Sequence, residues 1–413
     1  MTTRREFIKN SVLLTGGAAL FGGSFGCTAR KSIPKSGLVV STAADDMLIG
    51  QNYNPDAVHR AFAAGLTELS GEKTLENAWS SLISPEDVVG IKINCIAAPR
   101  ISSSIQSINE TISGLKSAGV KENNIIIWDH MDRVFQRTGL DINRDSTGIR
   151  VQGSSDKGAA TIPWTEGYDR NVYISLEDGT LRKFRRMVEQ NFTENGNHRE
   201  IFNSCTWLWM LINLGNEKAQ KYREDIRRLY MDYEDREGIK RIAEEVADMF
   251  EDVIIEDEEK SFFSNIVTKD ITKLINIAVL KHNEDSGVTW AAKNIALGVT
   301  TNKVRFHIDY CATAIPMIMN QPCIKDKTVL HIGEAAKIST VSVAGAQIAL
   351  DNRIFFSRDP VAMDRIGLDI LEEKRLAMGL ESIRDIATHV EACGRMGVGI
   401  SDLRKIDWRA LQV

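Results

Sequence analysis

The sequence predicts an α/β fold, a mostly parallel sheet built from two βαβ-type halves with an inserted helical subdomain. Three observations predict it. Short apolar runs rich in β-branched residues, at 88–94, 125–128 and 274–280, have the length of buried strands. Between the first two, Ile105, Ile108, Ile112 and Leu115 recur at helical spacing. Several of the apolar runs end on polar groups, as strands do where an open α/β sheet binds its ligands. This divides the chain into a first α/β half at 38–179, a helical insertion at 180–259 and a second half at 260–413, after a signal segment at 1–29.

The signal segment comes first. Thr3-Arg4-Arg5-Glu6-Phe7-Ile8-Lys9 matches the twin-arginine export pattern, and the Gly-rich apolar stretch at 11–26 is too short for a membrane span. The twin-arginine translocase is thus an expected partner, and the periplasm or cell envelope the expected location. Gly26-Cys27 reads as a lipoprotein site for a lipid anchor at Cys27, and Cys27-Thr28-Ala29 as an ordinary small-residue cleavage site; both stay open. The chain has 413 residues, 43% of them hydrophobic, enough for one large or two ordinary domains. Its net charge of −5 comes without a basic tract, which argues against a nucleic-acid partner.

The elements follow in order. Residues 38–42 form a first strand, and Asn54-Pro55-Asp56 starts a helix carrying Val58, Ala61, Phe62, Leu66 and Leu69. A strand at 88–94 precedes a helix capped by Ser102-Ser103-Ser104 and closed by Gly119. Asn123-Asn124 leads into a strand that ends at Asp129-His130, so 88–130 is one βαβ unit. Residues 141–161 are polar and loop-like, and 172–175 form a short strand. In the insertion, Tyr222, Ile226, Leu229, Ile239, Ile242, Val246 and Met249 mark amphipathic helices, with Trp207 and Trp209 packed beneath them.

In the second half, the run 274–280 stops at Lys281-His282-Asn283. A polar turn with Gly287 follows, then Thr289 and a helix at 290–297 with Lys293 and Asn294. His307 and Asp309 fall on a helix reaching Met319, and 328–333 is another strand. Residues 348–350 and 354–356 bracket Asp351-Asn352-Arg353 as a tight hairpin would. Asp359-Pro360 then caps a helix with Val361, Met363, Ile366 and Ile370 inward. No strand precedes the glycines at 394–399, so they are not a dinucleotide loop. Six cysteines include no C-x-x-C pair, which rules out the usual iron–sulfur and structural zinc spacings. Export permits a Cys311–Cys323 disulfide; buried thiols are the other reading.

Lys92, Asn94, Asp129, Lys281, His282, Lys293, Asn294 and His331 lie at strand ends or on the helix after one. Parallel neighbouring strands would bring them to one edge of the sheet. Lysines beside a helix N-terminus suit a carboxylate or phosphate, since unpaired N–H groups and the helix dipole favour an anion. Lys281, His282 and Lys92 are the candidate catalytic groups, Asn94, Thr289, Lys293 and Asn294 the candidate substrate contacts. His331 and Asp129 are candidate metal ligands, a metal ion being one cofactor the residues allow. The plainer alternatives are ion pairs of Lys92 or Lys281 with Asp129 or Asp359, a hydrogen-bonded core role for His307, and an N-cap role for Asp359.

The stretches VVGIKINC, NNIIIWD, LINIAVLKHNEDSGVTWAAKNIALGV and SRDPVAMDRIG, in this order, resemble the domain-of-unknown-function 362 family over about 88–130 and 265–400. In that family a strand ends in Lys, a polar residue and His, a Thr-x-x-x-Lys-Asn helix start follows, and an Asp-Pro-x-Ala-x-Asp segment closes the domain. Here His282 stands one place earlier, and the ferredoxin-type cysteines of many members are absent. The resemblance implies the fold and the place of the site. The residues themselves lead to an exported enzyme of unknown reaction acting on a small anionic substrate or cofactor at the strand C-terminal edge. The alternative is a non-catalytic envelope binding protein for an anion or a metal.

Overall fold

A computed structural model describes residues 37–145, 147–156, 158–160, 162–176, 223–224, 257, 259–342, 345 and 347–413. The signal segment, Cys27, Cys205, the Trp207–Trp209 stretch and nearly all of the helical insertion lie outside the described residues. In the first half, β1 (Leu38–Ala43) is followed by a small hairpin of β2 (Leu48–Ile49) and β3 (Asn52–Tyr53). Helix α1 (Pro55–Ser70) starts as expected, with the Asn54 side chain accepting from Asp56 N, and ends at Gly71 in the left-handed region at φ 71°. Helix α2 (Leu75–Leu82), β4 (Val89–Lys92), α3 (Ile105–Ser117) and β5 (Ile125–Met131) complete the βαβ unit, β4 and β5 being parallel. The Ser104 side chain accepts from Ser107 N at the start of α3.

β6 (Arg150–Ser155) lies inside the stretch expected to be a loop. It is an end strand of the sheet, its one strand partner among the described residues being β5, with an isolated bridge from Val151 to Asn143 on its other side, and its sequence Arg-Val-Gln-Gly-Ser-Ser lacks an apolar run. β7 (Tyr168–Ser175) and β8 (Lys260–Ser264) form a separate antiparallel pair.

β9 (Lys273–Asn283) continues three residues past the apolar run, because Lys281, His282 and Asn283 all find partners inside the protein. It turns into β10 (Gly287–Thr289), whose Val288 and Thr289 face His282 and Lys281 across the antiparallel pair. Helix α4 (Ala291–Val299) follows. The helix expected around His307 is instead a 3-10 turn, Val304–Asp309, separated from α5 (Ala314–Met319) by Tyr310 and Cys311 at φ 60° and 64°.

β11 (Thr328–Ser339) pairs antiparallel with both β12 (Ile348–Leu350) and β13 (Arg353–Ser357), so these two are not the expected hairpin. They are successive strands along one neighbour, joined by a bend at Asn352 with φ 53°. Helix α6 (Pro360–Ala377), α7 (Thr388–Arg395) and β14 (Asp407–Gln412) end the chain.

Among the described residues ten strands form one sheet, in the order β14-β1-β13-β11-β9-β4-β5-β6, with β10 on β9 and β12 on β11. Five of the seven pairings along this path are parallel. The two halves share the sheet: β4 pairs with β9, and β1 sits between β13 and β14.

Alternation along the strands divides the core. Val40, Ile91, Ile127, Ile277 and Phe356 face α1, α2 and α3, whereas Val39, Ile126, Ala278 and Phe355 face α4, α5 and α6. Each fully buried aliphatic or Phe side chain of these layers contributes roughly 1.5–3 kcal/mol. Glycines set the closest approaches: a Cβ at Gly333 or Gly367 would lie 2.4 or 2.2 Å from the Trp290 ring.

Candidate functional site

Lys92 closes β4 and turns its side chain toward α4. Its stem passes Gly298, where a Cβ would lie 2.1 Å from Lys92 Cε. The ammonium is 2.9 Å from Asp129 Oδ1 at the end of β5, donates to Ile93 O at 2.5 Å and reaches Asn294 Oδ1 at 3.3 Å. It also sits 5.6 Å from the centre of the Trp128 ring. Asp129 accepts further from Cys95 N at 2.9 Å and His130 N at 2.7 Å. Burial pushes the Asp129 carboxyl up, but the Lys92 ammonium and His130 outweigh it and hold it well below the usual range.

Lys281, on β9, reaches the same place from the other half of the chain. Its Nζ donates to Asn94 Oδ1 at 2.6 Å, and Asn94 Nδ2 donates to Asn294 Oδ1 at 2.9 Å. Asn294 Nδ2 donates to Asn276 Oδ1 at 2.7 Å, and Asn276 Nδ2 donates to Ala291 O at 2.9 Å. This chain of amides ties β4, α4 and β9 together. Burial lowers the Lys281 pKa to about 8; Asp129 and Cys95 oppose that, while Lys92 and Lys293 add to it. Lys303, beyond α4, joins the group and donates to Leu297 O at 2.5 Å. Burial lowers it to about 7, against Asp129 and with Lys92. Burial and then Lys303 lower His130 to about 4, so its ring is neutral.

The other expected residues are placed differently. Lys281 and His282 are adjacent in a strand and therefore point to opposite faces. His282 Nδ1 lies 2.5 Å from Val341 O, away from Asn94, and burial lowers it to about 4. Lys293 donates to Asn283 Oδ1 at 2.6 Å and to Ser286 Oγ, within the β9–β10 turn. Thr289 is buried, its hydroxyl without a hydrogen-bond partner among the described residues.

His331 is a core residue of β11, with Nδ1 3.0 Å from Asn276 Nδ2. An amide nitrogen only donates, so Nδ1 accepts and Nε2 carries the proton; burial lowers its pKa to about 3. His331 and Asp129 thus have separate partners, and among the described residues no group of three or more His, Cys, Asp or Glu is placed to hold a metal. Cys311 and Cys323 do not form the disulfide that export would permit.

The N-terminus of α4 is not open to an external anion. Asp364 on α6 accepts from Ala291 N at 2.6 Å and Ala292 N at 3.0 Å. The positive charge of this edge therefore comes from lysine side chains, not from the helix end. Lys281 keeps a neutral amide as its hydrogen-bond acceptor, whereas Lys92 is paired as the plainer alternative expected. Asp359 is an N-cap, accepting from Val361 N and Ala362 N.

Reading the sequence missed Lys303, Cys95, Asn276 and Asp364. Asn276 carried a signal, since an amide inside an apolar run needs a partner. Asp364 carried one as the last residue of Asp-Pro-x-Ala-x-Asp. Lys303, in the polar stretch Thr300-Thr301-Asn302, carried none.

Comparison with known proteins is sparse. No curated protein matches the chain. A crystal structure of a protein from Thermotoga maritima is similar at 10% identity and a TM-score of 0.32, covering 81% of this chain and 61% of that one. A family model described as "Domain of unknown function (DUF362)" matches residues 227–369, the stretch that holds Lys281, Thr289, Lys293, Asn294 and Asp364, and supports the resemblance to that family.

Proposed function

We propose that the chain is an exported enzyme acting on a small anionic substrate at the C-terminal edge of β4, β5 and β9. One observation carries this reading: three buried lysines, Lys92 in contact with Asp129 and Lys281 and Lys303 within its electrostatic reach, share one buried carboxylate. Lysines at 1%, 0% and 8% exposure are costly to keep charged, and a surplus of them is relieved by an incoming anion. Perturbed amines of this kind also suit proton transfer or nucleophilic chemistry. Export rests on the Arg4-Arg5 pattern, with the periplasm or envelope as destination and the twin-arginine translocase as partner. No helix among the described residues is long and apolar enough to cross a membrane.

Calorimetry with oxalate and phosphate tests the site. Binding should take up protons, because an anion raises the lysine pKa values, and should weaken as pH rises through about 7 to 8. Lys303→Met should weaken it about tenfold or more, a loss of ~1.4 kcal/mol. Absence of binding by either anion across that pH range would remove the reading.

A second reading, a non-catalytic binding protein for an anion, is favoured by the complete burial of Lys281 and its fixed amide partner. It predicts reversible retention of the ligand with no chemical change in it, which mass spectrometry of recovered ligand distinguishes.

A further inference from the structure

Lys92 and Lys281 differ in one respect that matters chemically. The Lys92 ammonium is 2.9 Å from a carboxylate and also meets a backbone carbonyl and an amide. Lys281 donates to the side-chain oxygen of Asn94 alone among the described residues. A carboxylate holds a proton on its partner; an amide oxygen orients the nitrogen without holding its proton. The orientation is firm, because Asn94 is clamped by Asn294, and Asn294 in turn by Asn276. Lys281 is therefore an amine with one N–H aimed at Asn94 and its remaining valences unengaged by the described residues, within the electrostatic reach of Lys92 and Lys293. A desolvated lysine beside a second cationic group is the general arrangement of imine-forming enzymes.

We propose that Lys281 forms an imine with the 2-oxo carbon of a small 2-oxo carboxylate, whose negative charge the buried cations of this edge offset. This rests on the anion-site reading above and specifies the substrate class. The neutral amine attacks the carbonyl carbon, forming the N–C bond while the π pair moves to oxygen. Both amine protons then leave with that oxygen as water, giving the imine without any change of oxidation state. The incoming carboxylate offsets the positive charge that Asp129 alone does not balance among Lys92, Lys281 and Lys303, and Asp129 acts electrostatically on the Lys281 nitrogen, where the iminium forms when the imine takes a proton. Size selects the substrate. Lys281 is fully buried and Asn94, His130 and Lys303 keep only 9%, 7% and 8% exposure, so a substrate that reaches it must be small.

The test incubates the full chain with pyruvate or glyoxylate and borohydride, then maps adducts by mass spectrometry, with oxalate calorimetry on the same preparation. One reduced adduct at Lys281 is expected, with a yield that rises through about pH 8, whereas exposed lysines respond near ~10.4. Lys281→Arg should abolish it. Asn94→Asp gives Lys281 a carboxylate and should cut the yield at neutral pH about tenfold, with recovery at higher pH; it serves also if the arginine variant does not fold. Oxalate binding without any adduct overturns the imine and leaves the anion site standing. Adducts scattered over surface lysines, or unchanged in Asn94→Asp, overturn it too, and absence of both adduct and oxalate binding removes both readings.

Discussion

Asp364 holds the first turn of α4 by accepting from Ala291 N at 2.6 Å, and its second oxygen accepts from Ala292 N. It thereby fixes the helix that carries Lys293 and Asn294. Burial raises the Asp364 carboxyl to about 7, against the two N–H groups that favour its charged form. A carboxyl raised above its unfolded value of about 3.9 binds protons more readily when folded. Its stabilising contribution is complete below about pH 4 and is lost as pH rises through about 7. The stability difference between the wild type and Asp364→Asn, from urea unfolding, should therefore shrink across that window. A constant difference would show that the group does not titrate there.

Gly298→Ala tests the close passage of Lys92 beneath α4. The new Cβ would fall 2.1 Å from Lys92 Cε and 2.8 Å from its Nζ, so the ammonium must leave Asp129 or the helix must shift. Oxalate affinity should drop about tenfold or more, ~1.4 kcal/mol. Unchanged affinity in a folded variant would place Lys92 outside the site.

Asp129→Asn leaves the Lys92 ammonium buried without its counter-charge. Breaking such a pair typically costs about 3–5 kcal/mol. The wild-type carboxyl is held low, so its contribution is present above its unfolded pKa and is lost as pH falls. The variant should be less stable than wild type at neutral pH, with the gap narrowing in acid. Chemical denaturation at both ends of that range measures it.

Glu334 ties β11 to the start of α3, accepting from Ser104 N at 2.9 Å, from Ser107 Oγ at 2.6 Å and from the Ser104 hydroxyl. Next to it, Ser103 Oγ accepts from Asn94 N at 2.8 Å and donates to Ile277 O. Glu334→Ala orphans three buried donors at about 1–3 kcal/mol each at most. The variant should unfold at lower denaturant and bind oxalate more weakly, through Asn94. Glu334→Gln should fall between it and the wild type.

Much of the architecture was legible because it is local. Asn54, Ser104 and Asp359 cap helices where their sequence positions say they should, and Ile126 and Ile127 alternate between faces as a strand requires. Where long-range partners decide, the reading departed from the structure. Lys281, His282 and Asn283 look like the end of a strand but extend it, because Asn94, Val341 and the Lys293 ammonium satisfy them. The residues 351–353 look like a hairpin turn but form a bend, because both flanking strands pair with β11.

The site divides in the same way. Sequence alone determined that cationic side chains stand at strand ends on both sides of the insertion, and that parallel strands bring such ends to one rim. Only the tertiary structure decided which of them meet: strand alternation sends Lys281 to Asn94 and His282 elsewhere, and the chain path after α4 adds Lys303. The physical reason is that a side chain's type is written in the chain, whereas its desolvation and its charged neighbours exist only once distant segments have packed.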